Sequence, residues 1–254
     1  MAETVLVSQA DGVVSVTFNR PDSGNALDLH TARLLAEALE AVSWDATVAV
    51  VLRGAGRAFC VGGDLREMVS APDRGAHLQA LAGHAHRAVR ALASAPVPVV
   101  AVVDGAAAGA GLAFVLGADV VLAGDRSRFV LAYGAVGLTP DCGASWFLPR
   151  IVGRRRAYEI ALTNPVLDGD RAERDGIVTR RVGSDQLEAE LDALLGVLRA
   201  GSGPAVAGVK ALLLSAEEQD SLARRLDAEA ESIARFAGGE DAGRRIAAFL
   251  GDAA

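Results

Sequence analysis

The sequence predicts an α/β protein, and three observations carry that expectation. Apolar, β-branched runs at 48–52 and 97–103 read as strands. Each passes into a tight small-residue loop, Cys60-Val61-Gly62-Gly63-Asp64-Leu65 and Gly105-Ala106-Ala107-Ala108-Gly109-Ala110-Gly111, and then into helix pattern. Beyond Arg154 the strand signal almost vanishes while helix pattern continues.

Taken in order, Val13-Val14-Ser15-Val16-Thr17-Phe18 is the first expected strand, followed by turn residues Asn19-Arg20-Pro21-Asp22-Ser23-Gly24. Leu29, Leu34, Leu35, Leu39 and Val42 make a helical stripe over 28–43. After the strand at 48–52 and its glycine loop, the polar stretch 70–75 reads as a surface loop and 76–93 as a helix. The strand around Val99 leads through the second glycine loop to a helix near Leu112, and 119–123 is a short strand. Gly137-Leu138-Thr139-Pro140-Asp141-Cys142-Gly143 is a loop entering a helix that ends in Leu148-Pro149-Arg150. Helices are expected over 154–163, 186–199, 204–215, 221–236 and 241–250. The chain divides on this reading into a β/α core at 1–195 and a C-terminal helical region at 196–254. The apolar helix faces of that region exceed what a lone cap needs, which suits contacts between copies.

Length and composition narrow the function. A chain of 254 residues buries a substantial core. With aromatics at 4% and a net charge of -7, nucleic acid is not the expected partner. The start Met1-Ala2-Glu3-Thr4 lacks the basic segment and long apolar run of a signal peptide, and no apolar run is long enough to span a bilayer. Cys60 and Cys142 have neither metal-ligand spacing nor a disulfide framework, and His30, His77, His84 and His86 form no zinc motif. A reducing, cytoplasmic setting and no metal are therefore expected.

A strand, a tight turn and a helix start leave backbone N–H groups unpaired and pointing outward. One such loop is an ordinary βα turn in which glycine serves a positive φ. Two brought together aim a pair of donors at one oxygen, which stabilises an enolate or oxyanion.

The motifs in their order identify a family. Asn19-Arg20-Pro21 with Asn25-Ala26-Leu27, then Arg57-Ala58-Phe59 before the first glycine loop, then Asp104-Gly105 with Gly109-Ala110-Gly111, resemble the enoyl-CoA hydratase/isomerase (crotonase) superfamily over essentially the whole chain. The resemblance implies a spiral of ββα units with a C-terminal helical trimerisation region, assembled as trimers or dimers of trimers. It implies an acyl-CoA thioester as substrate, with coenzyme A part of that substrate and no separate cofactor. The two oxyanion donors fall on Gly63 and Ala110. The substrate-contact stretch falls on Gly63-Asp64-Leu65-Arg66, and Asn25-Ala26-Leu27 lines the coenzyme path. Gly62, Gly109, Tyr133 and His86 complete the expected contact set. Asp64 also reads as the cap of the helix after it.

Within the family, hydratases work with two glutamates, and the matching positions here hold Ala113 and Tyr133. Asp141, eight residues past Tyr133, matches the catalytic aspartate of some isomerases. The segment from Gly137 through Cys142-Gly143, Trp146, Leu148-Pro149-Arg150 and Gly153-Arg154 resembles the isomerases of bacterial phenylacetate degradation, as does Ala-Ala-Gly-Ala-Gly at 107–111. The expected activity is movement of an enoyl-CoA double bond, with Asp141 as general acid and base. Three alternatives stand beside it. Asp141 and His86 together match the nucleophile and water-activating base of an aryl-CoA dehalogenase, which would allow covalent, hydrolytic chemistry. A hydratase of atypical mechanism and a non-catalytic acyl-CoA binder are the others.

Overall fold

The two-residue Asp11–Gly12 turn, with φ of 48° and 76°, sets the first hairpin of the computed structural model. It joins β1 (Val5–Ala10) to β2 (Val13–Phe18) in antiparallel register. The structure describes residues 3–251, so Met1 and Ala2 of the N-terminal reading lie outside it. After a 3-10 turn at Pro21–Ser23, Asp28 caps α1 (Leu29–Glu40) by accepting from the Thr31 amide.

Each following unit repeats one plan, a long strand, a short strand and a helix. The first is β3 (Ala49–Gly54), β4 (Ala58–Cys60) and α2 (Leu65–Ser70), joined to α3 (Arg74–Ser94). The second is β5 (Val99–Val103), β6 (Ala106–Ala108) and α4 (Ala110–Leu116). The third is β7 (Val120–Ala123), β8 (Arg128–Val130), a 3-10 turn at Tyr133–Val136, α5 (Ala144–Val152) and α6 (Arg154–Thr163). Then come β9 (Leu167–Asp168), α7 (Gly169–Arg174), β10 (Arg180–Arg181), α8 (Leu187–Ala200), α9 (Gly203–Leu213), α10 (Ala216–Ala237) and α11 (Glu240–Leu250).

The long strands, with the two-residue β10 at one edge, build a six-stranded sheet in the order β1-β2-β3-β5-β7-β10, parallel apart from the first hairpin, and short strands build a second sheet, β4-β6-β8-β9. This is the α/β spiral of ββα units with a helical C-terminal region that the family resemblance implies. Side chains alternate across the large sheet. Val50, Leu52, Val99 and Val103 face the main core, whereas Val51, Val100 and Val102 meet Leu187, Leu191 and Leu195 of α8 on the other face. The division expected at residue 195 thus falls inside α8, whose apolar stripe continues onto the sheet past that point.

Three other expectations change. The surface loop at 70–75 shrinks to 71–73, because α2 runs through Ser70 and Asp73 caps α3 from Arg74. Strand structure persists beyond residue 154 in β9 and β10, two-residue pieces too short for a pattern. The glycine loops also contain strands: β4 runs into the first and β6 lies within the second. No helix among the described residues is long and apolar enough to cross a membrane.

Helix α4 meets β4 closely at Gly111. A Cβ on Gly111 would lie 2.0 Å from the Cys60 carbonyl oxygen, a backbone atom with no room to retreat. Gly111→Ala is expected to lower stability by about 3 kcal/mol or more. Urea unfolding would measure this, and a change below about 0.5 kcal/mol would contradict the packing described.

Candidate active site

The first glycine loop is pinned by a single bridge to the segment after the 3-10 turn. The Leu27 amide donates to Gly62 O at 2.8 Å, and the Asp64 amide donates to Leu27 O at 2.8 Å. In that parallel bridge Gly63 itself faces the other way, so its N–H is turned from Leu27. Ala110 is the first residue of α4, where an N–H has no intrahelical acceptor. Gly62, with φ 98°, lets the loops touch: a Cβ there would be 3.4 Å from Gly109 Cα and 3.5 Å from Ala110 N. Gly63 and Ala110 thus stand on adjoining loops and line one cavity of about 530 Å³.

That cavity is walled by apolar side chains, among them Met68, Leu81, Val136, Leu138 and Ile233. Ala26, Leu27, Gly62, Asp64, Leu65, Arg66, Gly109 and Tyr133 also line it. Asp141 lies in the wall at 7% exposure. Tyr133 O–H donates to Asp141 Oδ1 at 2.5 Å, and the Cys142 thiol is hydrogen-bonded to the same carboxyl. Burial, reinforced by the charge of Asp141, pushes both the Tyr133 hydroxyl and the Cys142 thiol well above their ordinary pKa values. Both remain protonated donors at neutral pH.

Two expected contact residues are corrected. Asn25 does not line the cavity. Its Nδ2 donates to Ala55 O, Ala58 O and Phe59 O, and its Oδ1 accepts from the Arg20 amide, so every polar atom ties the backbone together. His86, 2% exposed on α3, does not line the cavity. Its Nε2 accepts from the Cys142 amide at 3.1 Å, and burial lowers its pKa, so it is a neutral acceptor. Asp64 has the capping geometry read from the sequence: it accepts from the Arg66 and Glu67 amides and pairs with Arg20 at 2.9 Å.

His86, Asp141 and Cys142 bring nitrogen, oxygen and sulfur atoms within 4.8 Å of one another. A metal would need those atoms free and the thiol deprotonated. Here His86 Nε2 accepts from the Cys142 amide and Asp141 Oδ1 accepts from the Tyr133 hydroxyl.

The sequence reading missed Glu229. It lies on α10 at 4% exposure, accepting from the Gly143 amide at 2.7 Å, the Ser145 amide at 3.0 Å and the Ser145 hydroxyl at 2.5 Å. The signal was present: Leu222, Leu226, Glu229, Ile233 and Ala237 are the buried stripe of α10, and a glutamate stands in an apolar position of it.

A model described as enoyl-CoA hydratase/isomerase matches residues 8–251. The 1,2-epoxyphenylacetyl-CoA isomerase of Escherichia coli K12 is 35% identical over 98% of this chain and 96% of its own. The 4-chlorobenzoyl coenzyme A dehalogenase-2 of an Arthrobacter species is 38% identical over 69% of this chain and 65% of its own. Among solved structures, an enoyl-CoA hydratase from Bacillus halodurans superposes with a TM-score of 0.91 at 25% identity, covering 97% of this chain and all of its own.

Proposed function

The chain belongs to the enoyl-CoA hydratase/isomerase family, and from that premise we propose that it acts on acyl-CoA thioesters as a double-bond isomerase. The observation that carries the reading is the carboxylate inventory of the cavity. Asp22, Asp64 and Asp141 line it; Asp22 is exposed, Asp64 is spent on a helix cap and Arg20, and Asp141 is buried. The two positions that carry glutamates in the family's hydratases are Ala113, fully buried, and Tyr133. Hydration by two carboxylates lacks its second group, whereas moving a double bond needs one.

The thioester oxygen accepts from the Gly63 and Ala110 amides, which lowers the energy of the enolate. Asp141 takes a proton from C2 of a 3-enoyl thioester, and the electron pair spreads into the dienolate. The same carboxylic acid returns the proton at C4, the 2-enoyl thioester forms, and Asp141 ends as a carboxylate. Tyr133 orients the acid through its hydrogen bond. The reaction draws on no cofactor beyond the coenzyme A of the substrate. Assembly as trimers or dimers of trimers belongs to the same proposal and is supported by exposed apolar residues at Leu162, Val209, Leu212 and Leu213, and a cytoplasmic setting is proposed with it.

Hydrolytic chemistry through an Asp141 ester would require His86 to activate water. Its Nε2 lone pair is taken by the Cys142 amide and it does not line the cavity, which favours the isomerase reading. Incubation with 3-hexenoyl-CoA, crotonyl-CoA and 4-chlorobenzoyl-CoA separates the readings. Double-bond movement in the first and slow hydration of the second are expected. Fast hydration without isomerisation, chloride release that disappears in His86→Ala, or binding without turnover would each reject the proposal.

A further inference from the structure

We propose that Glu229 is a positioning residue that clamps the turn after Asp141 and so fixes the direction of the Asp141 carboxyl. The inference rests on the isomerase reading for its catalytic consequence and on geometry for the clamp itself. The turn is conformationally costly: Cys142, a non-glycine residue, has φ 55°, and Gly143 follows at 82°. The amides of such a turn converge on an anion. Helix α5 has no side-chain cap of its own. Glu229 supplies one from α10, taking the Gly143 and Ser145 amides and the Ser145 hydroxyl. From the opposite side His86 takes the Cys142 amide. Asp141 is the residue immediately before these anchored amides, and its own carbonyl accepts from the Ala144 amide at 3.0 Å.

The hydrogen-bond partners of Glu229 are all neutral. Burial and the neighbouring charge of Asp141 push its carboxyl up to about 7, against the opposing pull of the Gly143 and Ser145 bonds. The other titratable groups around it are fixed in form near neutrality. Tyr133 and Cys142 stay protonated and His86 on α3 stays neutral. Arg90 on α3 is paired with Asp227 of α10 at 2.6 Å. Proton uptake by Glu229 replaces an acceptor by a donor and loosens the turn. Activity therefore rises with pH through about 7, the ionised form being the clamped one. One turn further along α10, Ile233 forms part of the cavity wall, so the same helix shapes the pocket and holds the acid.

Glu229→Gln keeps the size of the side chain and removes the charge. The expected result is a kcat for 3-hexenoyl-CoA lower by about tenfold, a KM within about twofold, and loss of the acid limb near pH 7. A fall in activity with the limb unmoved, or no change at all, would overturn the proposal. A readout without turnover separates this from failure of the isomerase reading. In ¹⁵N-labelled wild type the Gly143 and Ser145 amide signals should titrate near pH 7, with the Tyr133 ring signals moving alongside. Absence of that titration overturns the clamp; its presence in a protein that isomerises nothing upholds the clamp and rejects the reaction. Should Glu229→Gln not fold, Ser145→Ala serves instead. Loss of one hydrogen bond to the ionised form must raise the midpoint of the titration, and an unmoved midpoint overturns the proposal.

Discussion

Asp141→Asn is expected to lower kcat for isomerisation of a 3-enoyl thioester by about 10³-fold, within the usual range for removal of a general acid–base group. The amide is nearly isosteric, and its oxygen still accepts from Tyr133 O–H, so the turn at Cys142 and the cavity wall should persist. KM should therefore stay within a factor of a few, the signature of a group that acts in the transition state rather than in binding. Steady-state kinetics on 3-hexenoyl-CoA, following the conjugated product, would check both numbers. A KM raised tenfold with kcat unchanged would recast Asp141 as part of the binding wall.

Ala110→Pro removes one donor of the proposed oxyanion pair with little damage to the backbone. Proline suits the first turn of a helix, where its missing N–H costs no intrahelical bond. The preceding residue must avoid the α region, and Gly109 does so with φ 52° and ψ -124°. A fall in kcat of about 10²-fold to 10³-fold is expected, equivalent to about 3–4 kcal/mol of transition-state stabilisation. Circular dichroism and the urea midpoint should remain near wild type. Wild-type kcat in this variant would show that the Ala110 amide does not serve the thioester oxygen.

The readable parts of the chain were those whose chemistry is local. The strand alternation at 13–18, the apolar stripe of α1 and the helix at 154–163 follow from side-chain period alone, and the structure has them within a few residues. Strand β1 was missed although Asp11-Gly12 is a strong hairpin signal, because its outer residues are exposed and carry little alternation. The second sheet was invisible for a different reason. Its strands are two or three residues long and are fixed by pairing between distant segments.

Site residues divide in the same way. The loops of Gly63 and Ala110 could be found because their neighbours Gly62 and Gly111 are demanded by backbone contact. Asp141 could be found by its place in a resembling segment, yet its partners could not. Tyr133 reaches it across eight residues, His86 anchors its neighbour from 56 residues away, and Glu229 holds the turn from 86 residues away. Asn25 misled because an asparagine after a turn looks the same in sequence whether it meets a ligand or its own backbone.

Deuterium placed at C2 of 3-hexenoyl-CoA gives the most direct measurement of proton transfer by one buried carboxyl. During a single turnover in ordinary water, wild-type protein should carry part of that label to C4 of the 2-enoyl product, and Asp141→Asn should carry almost none. Equal transfer by the two proteins would mean that some other group moves the proton.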